Sequence, residues 1–186
     1  MKTFVEIGSS YFNTLRELCD KGWKGVMVDP LEIALNKVPD HDNLIKVTGA
    51  IDVDFSVKKL TKVKDEYWDN IHDTDYLGMA SIGVNAPIKK AKPEYIEEID
   101  VACVPFNFLM KQLNITKINY LKIDTEGLDF DILKSIDFNS ININLIKVEH
   151  EHIPDQGYTL KEMVDFLKEN NYIVEIFETD IVAIKA

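Results

Sequence analysis

The chain has 186 residues, 46% of them hydrophobic and 28% charged, with 21 Lys+Arg against 32 Asp+Glu and a net charge of −11. This is the composition of a globular protein able to close one apolar core, and it argues against intrinsic disorder. Arg16 is the only arginine, and so acidic a chain argues against partners gripped through a phosphate backbone, so no nucleic acid is expected. In chain order, Phe4 to Ile7 reads as a first strand closed by Gly8-Ser9-Ser10. A helix follows with Leu15, Leu18 and Cys19 on one face; Thr14 and Glu17 have the spacing of a capping box, and Gly22 ends it. Val26 to Val28 is a second strand that stops at Asp29-Pro30, followed by a short helix from Leu31 to Lys37 and a third strand from Leu44 to Val47. Ile51, Val53, Phe55 and Val57 then alternate with Asp52, Asp54 and Ser56, the pattern of a half-exposed strand. Residues 65–100 are polar and irregular, and a loop of that length in a compact domain is usually functional.

Regular structure resumes at Pro105, which suits the first turn of a helix bearing Phe106, Leu109, Met110 and Leu113. Tyr120 to Asp124 is the fourth strand, Leu128, Ile132, Leu133 and Ile136 line the helix after it, and Ile143 to Val148 is the fifth strand. Thr159 and Glu162 form a second capping box, opening a helix with Leu160, Met163, Val164 and Leu167 inward. Tyr172 to Phe177 and Ile181 to Ile184 are joined only by Glu178-Thr179-Asp180. So short a link forces a hairpin and makes the last strand antiparallel. The predicted architecture is α/β: a doubly wound, mostly parallel, seven-stranded sheet with an antiparallel C-terminal hairpin strand. A single domain over 1–186 is expected, with 65–100 as an irregular insert or lid. Cys19 and Cys103 lack metal-like spacing and read as reduced core thiols. The opening apolar run is too short for a signal peptide and none is long enough for a bilayer, so a cytoplasmic protein without membrane contact is expected.

Ligands of open parallel sheets bind beyond the carboxyl ends of the strands, near the reversal of strand order. The first strand delivers Glu6, Gly8, Ser9 and Ser10 there, and Gly8 lets a ligand approach the backbone closely. The second delivers Asp29, placed where a carboxylate accepts the hydroxyls of a ribose. Together they point to an adenosine-containing cofactor. The three-glycine fingerprint of nicotinamide folds is missing after Gly8, which disfavours a dehydrogenase.

Phe4-Val5-Glu6-Ile7-Gly8, Asn13-Thr14-Leu15, Gly22-Trp23-Lys24-Gly25 and Val28-Asp29-Pro30 resemble the opening of the FkbM family of methyltransferases. The run from Tyr120 to Leu133, YLKIDTEGLDFDIL, resembles that family's most distinctive stretch, and Val148-Glu149-His150 its later acidic strand end. The terminal hairpin is likewise similar to that of S-adenosylmethionine-dependent methyltransferases. The resemblance implies a Rossmann-like methyltransferase that moves a methyl from S-adenosylmethionine to a hydroxyl of a sugar or other small metabolite. It implies Glu6 near the methionine amino end, Gly8 to Ser10 along the methionine, Asp29 and Pro30 at the ribose, and Ala50 and Ile51 at the adenine.

Asp124 and Glu126 are the candidates nearest the reacting methyl, with Glu126 alternatively capping the helix that follows. Glu149 and His150 follow the fifth strand, so Asp124 and Glu149 are expected to lie close, either sharing a proton or holding a divalent ion. His150 and His152 alternate and are expected to point to one side as solvated strand-end residues, and no metal is assigned. Tyr67, Trp68, Tyr76 and Tyr95 either line an acceptor pocket or anchor the loop. The stretch from Gly8 to Asn13 is shorter than in relatives, with Tyr11 and Phe12 where small residues are usual. That departure favours the alternative reading, a catalytically degenerate methyltransferase fold acting as a binding module or subunit. Oligomeric state leaves no mark on the sequence.

Overall fold

The computed structural model describes residues 1–12, 14–68, 78–82, 88 and 92–186; Asn13 and Tyr76, named above, lie outside the described residues. The strands are β1 (Thr3–Ile7), β2 (Lys24–Asp29), β3 (Leu44–Thr48), β4 (Ala50–Asp52), β5 (Ser56–Val63), β6 (Ser81–Ile82), β7 (Ile96–Pro105), β8 (Lys117–Ile118), β9 (Tyr120–Ile123), β10 (Asn142–Ile143), β11 (Leu145–Glu149), β12 (Tyr172–Ile176) and β13 (Asp180–Lys185). The helices are α1 (Glu17–Asp20), α2 (Glu32–Leu35), α3 (Phe106–Gln112), α4 (Asp129–Ser135) and α5 (Leu160–Glu169). Among the described residues no helix is long and apolar enough to cross a membrane.

Side-chain alternation along the central strands decides the layering. Phe4 and Met27 pack on one face with Leu15, Cys19, Leu35 and Val38 of the α1 and α2 segments. Val5, Ile7, Val26 and Val28 point to the other face, against Phe106, Met110, Ile132 and Leu133 of α3 and α4. Both faces of β1 and β2 are therefore covered, which is the doubly wound arrangement. The main sheet has seven strands in the order β12-β13-β11-β9-β1-β2-β3. β13 runs antiparallel to both β11 and β12, and the remaining ladders are parallel. The hairpin argument from the three-residue link is borne out, and the predicted fold class with it. The second capping box is also present, with Thr159 and Glu162 bonded reciprocally.

Four details correct the reading of the sequence. The expected continuous strand from Ile51 to Val57 is broken between β4 and β5. Asp52 causes the break: its buried carboxylate accepts the Val53 N–H at 2.8 Å and the Ser56 hydroxyl at 3.2 Å, pinning a turn. Residues 96–100, expected to be irregular, belong to β7, which pairs with β5 in a second sheet ordered β4-β7-β5-β6. No capping box forms at Thr14, because α1 begins at Glu17 behind Arg16, which reaches along the helix to Asp20 at 2.7 Å. Pro105 closes β7 and stands just ahead of α3 instead of inside its first turn. Cys19 and Cys103 are free, buried thiols.

Gly8 and Gly22 both hold left-handed backbone, at φ 74° and 79°, but their surroundings differ. A Cβ on Gly8 would sit 1.7 Å from the Asp124 carbonyl oxygen, whereas one on Gly22 meets nothing within 4 Å. Gly22→Ala is therefore expected to lower stability by about 1–2 kcal/mol, the left-handed strain alone. Gly8→Ala should cost far more, because backbone must also move, and denaturant midpoints of the two variants measure the difference. Equal losses would mean that β1 and β9 do not close on each other at Gly8.

Candidate functional site

The strand order reverses between β1 and β9, and a cleft with about 520 Å³ of free space, mouth included, opens there beyond the strand ends. Gly8, Ser10, Asp29, Pro30, Ala50, Ile51, Asp124 and Glu126 line it, so eight of the sequence-predicted site residues meet at one place. Leu60 of β5 and Ile82 of β6 close it from the second sheet, with Ala80 just ahead of β6. Tyr11 and Phe12 are not among its walls: Tyr11 stacks on Phe12 at 4.4 Å and edge-on to Trp68 at 5.9 Å. Tyr67 and Tyr95 stack on each other at 5.0 Å away from the cleft, so the described aromatics of this stretch act as anchors.

The walls are held by backbone–carboxylate bonds. Asp29 accepts the Ser10 N–H at 2.7 Å and the Leu31 N–H at 2.8 Å, one on each oxygen. Burial nevertheless pushes its pKa up to about 6, the two amide bonds opposing the shift. Across the cleft, Glu126 has left-handed backbone (φ 57°) and does not cap α4; its carboxylate lies 3.1 Å from His152 Nε2. Asp129, not singled out in the sequence, stabilises that loop by accepting the Thr125 and Gly127 N–H groups at 2.9 and 3.2 Å. Its spacing from Thr125 was the available signal. Burial raises its pKa to about 6 as well.

The remaining predicted residues lie behind the walls. Glu6 is fully buried and pairs at 3.1 Å with Lys122, which also reaches Asp124 at 3.2 Å. Burial raises the Glu6 pKa against the pull of Lys122. Burial works to lower the Lys122 pKa, but Glu6 and Asp124 outweigh it and hold the ammonium above its ordinary value. Lys122 was read only as part of a motif, and its bridging role is new from the structure. Ser9 is also buried, and its Oγ has no partner, nor has Glu6 Oε2.

Glu149 ends β11 beside β9, with its Oε2 buried and unpartnered. Its pKa is pushed up to about 9, chiefly by burial and then by Asp124, Asp129, Glu126 and Glu151. His150 and His152 do not share a side as expected. The chain turns after Glu149, sending His150 Nε2 to the Phe177 carbonyl at 3.0 Å and His152, only 15% exposed, to Glu126. His150 is thereby turned away from the cleft walls.

A doubly wound sheet with a reversed last strand and a cleft at its switch point is the fold of a class I methyltransferase. The chain belongs to the FkbM family: the description "Methyltransferase FkbM domain" matches residues 4–174, as the resemblance of the KIDTEG stretch implied. It is a methyltransferase by that membership. Among solved structures it is similar to one titled "crystal structure of fibrillarin/Nop5p complex", at 12% identity and a TM-score of 0.46 over 98% of this chain and 70% of that one. No curated protein matches.

The acidic cluster predicts a pH signature. A carboxyl whose folded pKa is raised contributes stability that is complete below its ordinary pKa and is lost as pH climbs through the raised value. The contributions of Asp29, Asp129 and Glu126 are spent by about pH 7, because their values are about 6, 6 and 7. The contribution of Glu149 lasts longer and is lost by about pH 9. Urea denaturation without divalent cations should show stability falling over that upper interval in the parent and nearly flat in Glu149→Gln. A parent curve that is already flat would refute the buried, proton-holding state of Glu149.

Proposed function

We propose that the chain is an S-adenosylmethionine-dependent O-methyltransferase acting on a hydroxyl of a sugar or another small metabolite. The observation that carries this reading is that Gly8, Asp29 and Asp124, from three different strand ends, line one cleft. The residues suit the cofactor: Gly8 and Ser10 line the cleft, and Asp29 keeps acceptor capacity on each carboxylate oxygen beyond its amide bonds. Asp29 and Pro30 would hold the ribose, Ala50 and Ile51 the adenine, and Gly8 to Ser10 with Glu6 behind them the methionine portion.

S-adenosylmethionine supplies, when bound, a methyl already activated on a sulfonium, so the protein's task is alignment and exclusion of water. Asp124 would be the base that accepts the proton the acceptor hydroxyl loses. Lys122, 3.2 Å away, fixes the direction of that carboxylate. Glu126 reaches the same cleft from the next turn, while Glu149 stands behind it. Residues 78–82 cover the cleft as a lid, and the whole chain, 1–186, serves as one domain. His150, bonded to Phe177, takes no part.

Calorimetry tests the assignment. The parent should bind S-adenosylmethionine, with Asp29→Ala weakening binding tenfold or more. Asp124→Asn should keep most of the affinity but lose about 10²–10⁴-fold in turnover, assayed over a panel of sugar and polyol acceptors. No heat at millimolar cofactor would leave only the non-catalytic binding module, and normal turnover in both variants would show the site to be misassigned.

A further inference from the structure

We propose that Glu126, Glu149 and His152 form a binding site for a divalent first-row transition-metal cation at the edge of the cleft. One ligand atom from each residue lies within 4.8 Å of the other two. The donors come from a rigid frame: Glu126 from the turn after β9, Glu149 from the end of β11, and His152 from the turn just beyond. β9 and β11 are hydrogen-bonded neighbours, with Ile123 facing Val148 just before the cluster. The site therefore stands assembled on adjacent strand ends, as a metal site requires.

The second observation separates a ligand site from a group of surface acids. Glu149 Oε2 is buried and accepts no hydrogen bond, and the Glu126 and His152 side chains are only 19% and 15% exposed. An unpartnered buried carboxylate oxygen is expensive, and a cation held jointly with Glu126 and His152 supplies its missing partner. The donor set chooses the class of cation. Two carboxylate oxygens alone suit Mg²⁺ or Ca²⁺, but an imidazole nitrogen shifts the preference to Mn²⁺, Fe²⁺ or Zn²⁺. Three protein ligands leave positions open towards the cleft that Glu126 lines. If the methyl-transfer reading holds, the acceptor hydroxyl occupies one of them and is polarised there.

Isothermal titration of the folded chain with Zn²⁺, and then Mn²⁺, tests the site without S-adenosylmethionine. Failure of metal binding thus leaves the cofactor reading standing, and the reverse also holds. One equivalent should bind, Zn²⁺ more tightly than Mn²⁺, and millimolar Mg²⁺ should not displace it. Glu149→Gln and His152→Ala should each weaken binding tenfold or more with far-UV dichroism unchanged, while Glu151→Gln should not. Electron spin echo spectra of the Mn²⁺-loaded parent should carry an imidazole nitrogen coupling, a readout that needs no variant. Absence of binding, unaltered affinity in both ligand variants, easy displacement by Mg²⁺ or a spectrum without nitrogen coupling would each overturn the proposal.

Discussion

The ammonium of Lys122 is the interaction on which the arrangement rests. β9 lies in the middle of the main sheet, and its Lys122 is buried, with little access to water. Lys122 sits directly opposite Glu6 in the parallel register and also touches Asp124, the first residue past its strand. A single buried cation thus joins the body of β1 to the carboxylate at the lip of β9. Breaking one side of such a pair leaves an uncompensated charge, which is the costly case, whereas the intact set roughly balances its desolvation. Its value is geometric: it fixes where Asp124 points and keeps the two strand ends in step where Gly8 meets the Asp124 backbone.

Around that anchor, the cleft is built from backbone that few residues tolerate. Ser10 and Glu126 both hold positive φ, at 47° and 57°, and both line the cleft. Such conformations persist only when their surroundings over-determine them, and they gather at functional sites. At Ser10 the determinant is the N–H bond to Asp29; at Glu126 it is the flanking pair of amides gripped by Asp129 together with the contact to His152. The carboxylates most deeply buried at the mouth therefore work on the protein's own backbone, and this leaves Asp124 and Glu126 facing the cleft.

Much of this was legible in the sequence because it follows from local rules. The three-residue link between β12 and β13 dictates a hairpin, the apolar periods dictate the strands and helices, and strand ends are where such sheets bind ligands. The parts that escaped are pairings between segments distant in sequence. Nothing in YLKID shows that its lysine faces Glu6, 116 positions away, because register is a property of the assembled sheet. The lateral second sheet escapes the sequence because β5 pairs with β7 across a long intervening stretch, and residues 96–100, the first half of β7, read as irregular. The separation of His150 from His152 escaped for a related reason. Alternation holds only while a strand continues, and β11 stops at Glu149.

The same distinction explains the acid concentrated at the cleft. Asp124, Glu126, Asp129, Glu149 and Glu151 converge from two strand ends, so their mutual repulsion is imposed by topology and not by sequence proximity. Burial first, and then this repulsion, raises the pKa of Glu126 to about 7 and that of Glu149 to about 9, which favours their protonated forms. A cavity in this state favours any cation that can enter, since each positive charge both relieves repulsion and releases a proton. A sulfonium and a divalent metal ion are both such cations. A cationic ligand entering the cleft would meet Asp124 and Glu126 among its walls.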